Sequence, residues 1–144
     1  MSTIRKTYTS DIPEALKLAE GLVGLFPGMD IPEFESSLRA AIERGEAITA
    51  ERHDCGFGGL IIISAAEREI AFLAVDPKTQ GVGLGSLLME RAIQQLGEGE
   101  ISVTTFMDGV PEGAAARALY KKFGFEDAEQ PEILGVTLQR MVRR

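Results

Sequence analysis

Val75-Asp76-Pro77-Lys78-Thr79-Gln80-Gly81-Val82-Gly83-Leu84-Gly85 is the stretch on which the reading of this chain turns. An apolar run, Ile70-Ala71-Phe72-Leu73-Ala74-Val75, stops at Asp76-Pro77; glycines recur at 81, 83 and 85, and a helical pattern begins at Leu87-Leu88-Met89. The pattern is a strand, a glycine-rich turn and a helix. A helix N-terminus exposes unpaired N–H groups and the positive end of the macrodipole, so a glycine-lined one can hold a phosphate against bare backbone. The alternative is an ordinary strand-to-helix turn. Two well-known phosphate loops are excluded. Position 86 is Ser where a dinucleotide fingerprint starting at Gly81 needs Gly or Ala, and the Walker spacing with its Lys is absent. The expected ligand is therefore a different phosphate carrier.

Composition sets the outer limits. At 144 residues, 44% hydrophobic and 26% charged, the chain suits one globular domain, residues 1–144, able to bury most of its apolar surface. No apolar run approaches the roughly 18 residues of a membrane span, and Met1 to Tyr8 carries no signal-peptide core, so no membrane partner and a cytoplasmic location are expected. A lone cysteine, Cys55, agrees with a reducing compartment. It stands two residues from the single histidine, His53, in one turn-like segment, and reads as a small loop residue rather than a nucleophile. No metal-ligand spacing is present. The net charge of −7, with no basic stripe, argues against nucleic acid and suits a cationic or amine substrate.

Taken in order, the chain opens with a strand over 4–8. Asp11 with Glu14 reads as a capping box for a helix carrying Leu16, Ala19 and Val23 and stopped by Pro27. Asp30-Ile31-Pro32-Glu33 reads as a second box, with Phe34, Leu38, Ala41 and Ile42 as the apolar stripe and Gly45 as the stop. The period then changes. Strands are expected at 47–50, 59–64 and 70–75, joined by connections short enough to require an antiparallel meander. Leu84, Leu88, Ala92 and Leu96 form one ridge of the next helix, capped by Gly97. A strand over 101–106 follows, then a loop over 108–113. A helix comes next, burying Ala116, Leu119, Tyr120 and Phe123 and ending at Gly124; the tail supplies a last strand. The order β, αα, βββ, α, β, α, β defines an α/β fold with a sheet of mixed direction.

Two motifs now carry a family resemblance. Gln80-Gly81-Val82-Gly83-Leu84-Gly85, with its Val-Asp-Pro lead-in, resembles the acyl-CoA loop of the GCN5-related N-acetyltransferase (GNAT) family. Ala118-Leu119-Tyr120-Lys121-Lys122-Phe123-Gly124-Phe125 resembles the family's second signature, one strand downstream. The motif-bearing likeness covers roughly Glu69 to Phe125. It implies a mostly antiparallel sheet of about six or seven strands flanked by about four helices, with two central strands splayed into an acetyl-CoA cleft. One position departs from the family pattern: Gly113 stands where many members have a cofactor-contacting Asn.

The resemblance also implies roles. Acetyl-CoA as acetyl donor would lie where the strand ending at Val75 parts from the strand starting at Ile101, its pantetheine arm pairing with backbone near Leu73 and Val75. Its diphosphate would sit on the N–H groups of Gln80, Gly81, Val82, Gly83 and Gly85, with Ser86 alongside. Lys78, Arg117 and Lys122 are candidates for the 3′-phosphate; the alternative for each is solvated surface charge. An alkylamine is neutral in only about one molecule in 2,500 at pH 7, so direct transfer needs a base. Glu69 matches a glutamate used in the histone-acetylating branch, and strand alternation puts it on the same face as Ala71 and Leu73; the alternative is a solvated strand-end carboxylate beside Glu67 and Arg68, with a water chain as the base. Tyr120 matches the tyrosine that the family often places near the leaving sulfur as general acid, the alternative being a core aromatic at helical spacing with Leu119 and Phe123, and a backbone N–H near Val75 would meet the oxyanion. The expected reaction is acetyl transfer through a ternary complex to a small-molecule or peptide amine. Acceptor choice would fall to 26–34, the turn at 53–57 and the tail beyond Gln130. A homodimer is compatible with all of this. The competing readings are a non-catalytic acyl-CoA-binding regulatory domain and, within enzymes, a protein N-terminal or lysine acetyltransferase.

Overall fold

The structure, a computed structural model, describes residues 2–21, 30–54, 56–79 and 83–144. Its elements are β1 (Ser2–Lys6), α1 (Ile12–Glu20), α2 (Ile31–Arg44), β2 (Ala47–Arg52), β3 (Gly56–Ser64), β4 (Glu69–Val75), α3 (Leu84–Leu96), β5 (Ile101–Thr105), α4 (Ala114–Lys122), β6 (Glu126–Asp127), β7 (Glu132–Ile133), β8 (Val136–Thr137) and β9 (Gln139–Arg143). Seven strands form one sheet in the order β1-β2-β3-β4-β5-β9-β6. The meander β1 to β4 is antiparallel, as its short connections require, whereas β4 and β5 run parallel because α3 carries the chain back between them.

The two faces of the sheet are covered by different helices. On one, α3 and α4 bury Leu84, Leu88, Ala92, Leu96 and Tyr120 against Ile48, Ile61, Ile63, Ile70, Ile101, Val103 and Met141. On the other, Ala15 of α1 and Leu38 and Ala41 of α2 pack on Ala47, Leu60 and Ile62, with Phe34 tilted against Phe72 at 4.9 Å. The ridge of α3 follows its helical spacing, and Leu88 is fully buried, so truncation to Ala costs about 2–5 kcal/mol.

Several local expectations are corrected. The first strand spans Ser2–Lys6 rather than 4–8. Neither Asp11 nor Asp30 makes a side-chain cap on the helix that follows it, α1 or α2. Asp11 is drawn back by the Arg5 guanidinium (2.8 and 3.0 Å) and by the Tyr8 N–H (2.7 Å). Val23 and Pro27, expected to close the first helix, lie outside the described residues. The tail forms more than one strand: β7 and β8 make a separate hairpin whose turn, Leu134-Gly135, has φ of 52° and 79°, the positive pair of a tight two-residue connection. No helix among the described residues is long and apolar enough to cross a membrane.

The largest correction concerns β4. Its pairing with β3 runs from Gly59↔Val75 to Ile62↔Phe72 and then slips, with Ile63 opposite Ile70. Ala71 is thus the extra residue of a β-bulge, and the bulge reverses the alternation. Ile70, Leu73 and Val75 face α3 and α4, whereas Phe72 faces α1 and α2. Glu69, adjacent to Ile70, therefore lies on the α1/α2 face, opposite to Leu73 and not beside it.

Candidate active site

The site forms where β4 and β5 separate. Their ladder holds two residue pairs, Glu69↔Ser102 and Ile70↔Val103, while β4 continues to Val75 and β5 to Thr105. Each strand keeps its other neighbour: β4 pairs with β3 up to Val75, and β5 pairs with β9 from Ile101 to Thr105. The sheet therefore opens into a wedge whose wide end meets the N-terminus of α3. Leu73 and Val75, half-buried, stand along its β4 side.

Beyond Val75 the chain is tied down before it reaches α3. The Asp76 N–H donates to Gly58 O (2.8 Å), and the buried Thr79 hydroxyl donates to the carbonyls of Gly58 (3.1 Å) and Asp76 (2.9 Å). Gln80, Gly81 and Val82 lie outside the described residues. Gly83 is the N-cap of α3, with φ of 83° and open space where a Cβ would be. A side chain there would strain the backbone, and glycine does not. Gly85 answers to a different constraint, since its Cβ would lie 3.2 Å from Cδ2 of Leu119 on α4. There glycine permits close packing of α3 on α4. The α3 N-terminus thus has bare backbone, and Lys122 Nζ donates to Ser86 Oγ at 3.1 Å beside it.

The three nominated cations separate clearly. Lys122 stands at the α3 N-terminus and Lys78 is exposed on the preceding turn. Arg117 is not solvated surface charge: it is 4% exposed and donates to Phe106 O (3.2 Å) and to both oxygens of Asp127 (3.2 and 3.3 Å). It ties α4 to β6. Phe106 also explains Gly113, whose Cβ would fall 2.5 Å from Cβ of Phe106. An Asn there would displace the ring, so the departure at this position is a packing choice.

Tyr120 and Glu69 occupy opposite faces of the sheet. Tyr120, 4% exposed, belongs to the core under α3 and α4 and packs at 5.8 Å on Phe125. Burial pushes its phenol above the usual range, so it stays protonated at neutral pH. Glu69 lies at the closed end of the wedge on the α1/α2 face. Burial first, then the neighbouring Glu67 carboxyl, push its carboxyl above the usual 4.5, while Arg140 opposes them. Arg140, placed across β5 by the Thr104↔Arg140 pairing, also binds Glu129 at 2.9 Å. Nothing in the sequence pattern pointed to Arg140; Glu67 was legible as the carboxylate two residues before Glu69.

Comparison with known proteins shows the family and the fold. Residues 42–127 match the family model described as an acetyltransferase (GNAT) domain. The chain is 30% identical over 128 residues to the ribosomal protein bS18-alanine N-acetyltransferase of Salmonella typhimurium, covering 89% of this chain and 83% of that one. It is 42% identical over 80 residues, 51% of this chain, to the mycothiol acetyltransferase of Beutenbergia cavernae, and spans only 26% of that protein. Among solved structures, yncA from Salmonella typhimurium with its cofactor acetyl-CoA superposes with a TM-score of 0.78 at 19% identity, covering 99% of this chain and 93% of the other. The Escherichia coli ribosomal-protein-S18-alanine N-acetyltransferase gives 0.71 at 24% identity, covering 99% and 91%. With a family model matched across its central strands, α3 and α4, and with a wedge between β4 and β5, this chain belongs to the GNAT family of acetyltransferases.

Proposed function

We propose that the protein transfers an acetyl group from acetyl-CoA directly to a primary amine in a ternary complex. The observation that carries this reading is the placement of Glu69 and Tyr120 on opposite faces of one wedge. A thioester held in the gap would be open to an amine from the α1/α2 side, with its sulfur toward α4. The residues present fit the donor: the wedge takes the pantetheine arm along Leu73 and Val75, and the α3 N-terminus from Gly83 to Ser86, with Lys122, takes the diphosphate. Gln80, Gly81 and Val82 would extend that cradle. Arg117 would have to leave Asp127 to meet a phosphate.

The proton movements then divide between the two faces. Glu69 takes one proton from the attacking ammonium, the neutral amine nitrogen bonds to the acyl carbon, and the C–S bond breaks as Tyr120 gives its proton to the departing sulfur; the second proton lost by the nitrogen as it becomes an amide restores the Tyr120 phenol through solvent. A backbone N–H near Val75 meets the oxygen that becomes negative between these events. No covalent acyl-enzyme is needed, so initial-velocity lines should intersect rather than run parallel.

The acceptor to test first is the α-amine of a peptide. The relative matching most of this chain acts on a ribosomal-protein alanine. An α-amine near pKa 7.8 is neutral in roughly one molecule in seven at pH 7, a far smaller demand on a base than an alkylamine makes. Thiol release should be followed with alanine-starting peptides, their N-acetylated forms, lysine peptides, polyamines and amino acids. Thiol release with mass-shifted product confirms transfer and names the class. Binding of acetyl-CoA with no thiol release from any amine would establish the non-catalytic alternative.

A further inference from the structure

Arg68 immediately precedes β4 and has φ of 52°, a left-handed conformation that crowds any side chain with a Cβ. Such a residue persists only where its surroundings hold it. Its guanidinium donates to four carbonyls: Nε to Glu100 (3.0 Å), Nη1 to Leu96 (2.8 Å), and Nη2 to Gly97 (3.1 Å) and Glu98 (2.9 Å). These are the last carbonyls of α3 and the turn that leads into β5, where a cation is favoured by the helix dipole. Gly99, with φ of 118°, leaves room for the fork, since its Cβ would sit 3.2 Å from Nη2. Arg68's own carbonyl accepts from the Ser102 N–H at 3.0 Å, beside the Glu69↔Ser102 pair that begins the β4–β5 ladder.

One residue therefore gathers the end of α3, the α3–β5 turn and the closed end of the wedge. The outer partners of both strands are secure, since β3 holds β4 and β9 holds all of β5, whereas the joint between them has only two pairs. We infer that Arg68 is a positioning residue: it clamps the narrow end of the wedge and so fixes where the thioester end of acetyl-CoA comes to rest between Glu69 and Tyr120. The inference rests on the acetyl-CoA reading above. The nucleotide end would lie at the other end of β4, roughly 20 Å away at the rise of a strand, and is outside the clamp's reach.

The test compares two ligands on three variants. Arg68→Gly deletes the fork and relieves the positive φ, Arg68→Met keeps the stem, and Arg68→Lys keeps the charge. For Arg68→Gly and Arg68→Met, affinity for adenosine 3′,5′-bisphosphate should stay within about twofold of wild type, while acetyl-CoA affinity and turnover fall by about tenfold, with partial recovery in Arg68→Lys. Amide exchange at Ser102 and Val103 should quicken about tenfold or more while that of Ile61 is unchanged. Equal weakening of both ligands would make Arg68 a general stability residue, and unchanged acetyl-CoA affinity would leave the clamp without effect; either overturns the proposal. If wild type binds neither ligand the cofactor reading fails and the placing of a thioester fails with it, while Ser102 exchange still decides whether Arg68 closes the wedge.

Discussion

Lys122 Nζ reaches Ser86 Oγ at 3.1 Å, joining the last turn of α4 to the first turn of α3. The two signatures recognised in the sequence thus meet at one point, and the contact puts a positive charge beside three backbone N–H groups with no intrahelical acceptor. Lys122→Met should raise the KM for acetyl-CoA by about five- to tenfold with kcat little changed, and the wild-type KM should rise with salt more steeply than the variant's. Equal salt slopes would remove Lys122 from the phosphate site.

The glycines of the loop should separate by phenotype. At Gly83 a Cβ meets open space and the obstacle is φ of 83°, so Gly83→Val should distort the α3 N-cap and weaken acetyl-CoA binding with a modest loss of stability. At Gly85 the obstacle is Leu119, so Gly85→Val should cost about 1–3 kcal/mol of stability by overpacking the α3–α4 contact. Thermal melting with calorimetric titration distinguishes the two. The reverse pattern would show that Gly85 serves the ligand.

Tyr120→Phe keeps the ring that packs on Phe125 and removes the hydroxyl. Folding should be retained and acetyl-CoA affinity held, while turnover falls by about a hundredfold as the leaving thiolate loses its proton donor. Wild-type turnover in this variant would make Tyr120 a core aromatic and hand the proton to water.

Acid stability should depend on Asp11. Burial alone would raise its carboxyl, but the Arg5 fork and the Tyr8 N–H outweigh burial and hold it below the ordinary 3.8. A carboxyl with a depressed folded value contributes stability above its unfolded value and loses it as pH falls through the folded one. Melting temperature should therefore drop on acidification below about pH 4, and Asp11→Asn should be less stable at neutral pH yet less sensitive to acid. Identical pH slopes for both proteins would show that Asp11 is not the group responsible.

Much of this architecture was legible because it follows from short-range period. The ridge Leu84, Leu88, Ala92, Leu96 and the glycine stops at 45 and 97 are set by residues within a turn of one another. What stayed hidden depends on distant partners. The bulge at Ala71 is one extra residue in an unbroken apolar run, with no Gly or Pro to mark it, and appears only in the register with β3. Asp11 looked like a cap until Arg5 claimed it, and Arg117 looked like surface charge until β6 brought Asp127 beside it. Arg68 reads as an ordinary turn residue between two glutamates, because the carbonyls it gathers lie at 96–100.

The prediction with most at stake is Glu69. Burial and the adjacent Glu67 carboxyl raise its value, so the acidic limb of kcat/KM should lie above 4.5. Glu69→Gln preserves shape and removes basicity. Its turnover should fall most at low pH, where little neutral amine is present, and recover partly as pH nears the acceptor's own pKa, about 7.8 for an α-amine. The neighbours provide a signed control. Glu67→Gln removes a negative charge that disfavours ionisation, so the limb should move to lower pH; Arg140→Met removes the opposing cation, so it should move to higher pH. A merely structural glutamate would leave the limb where it is in both variants. If Glu69→Gln turns over at the wild-type rate with an unchanged profile, the carboxylate belongs to the solvated end of β4, and a water chain ending on backbone carbonyls must carry the proton instead.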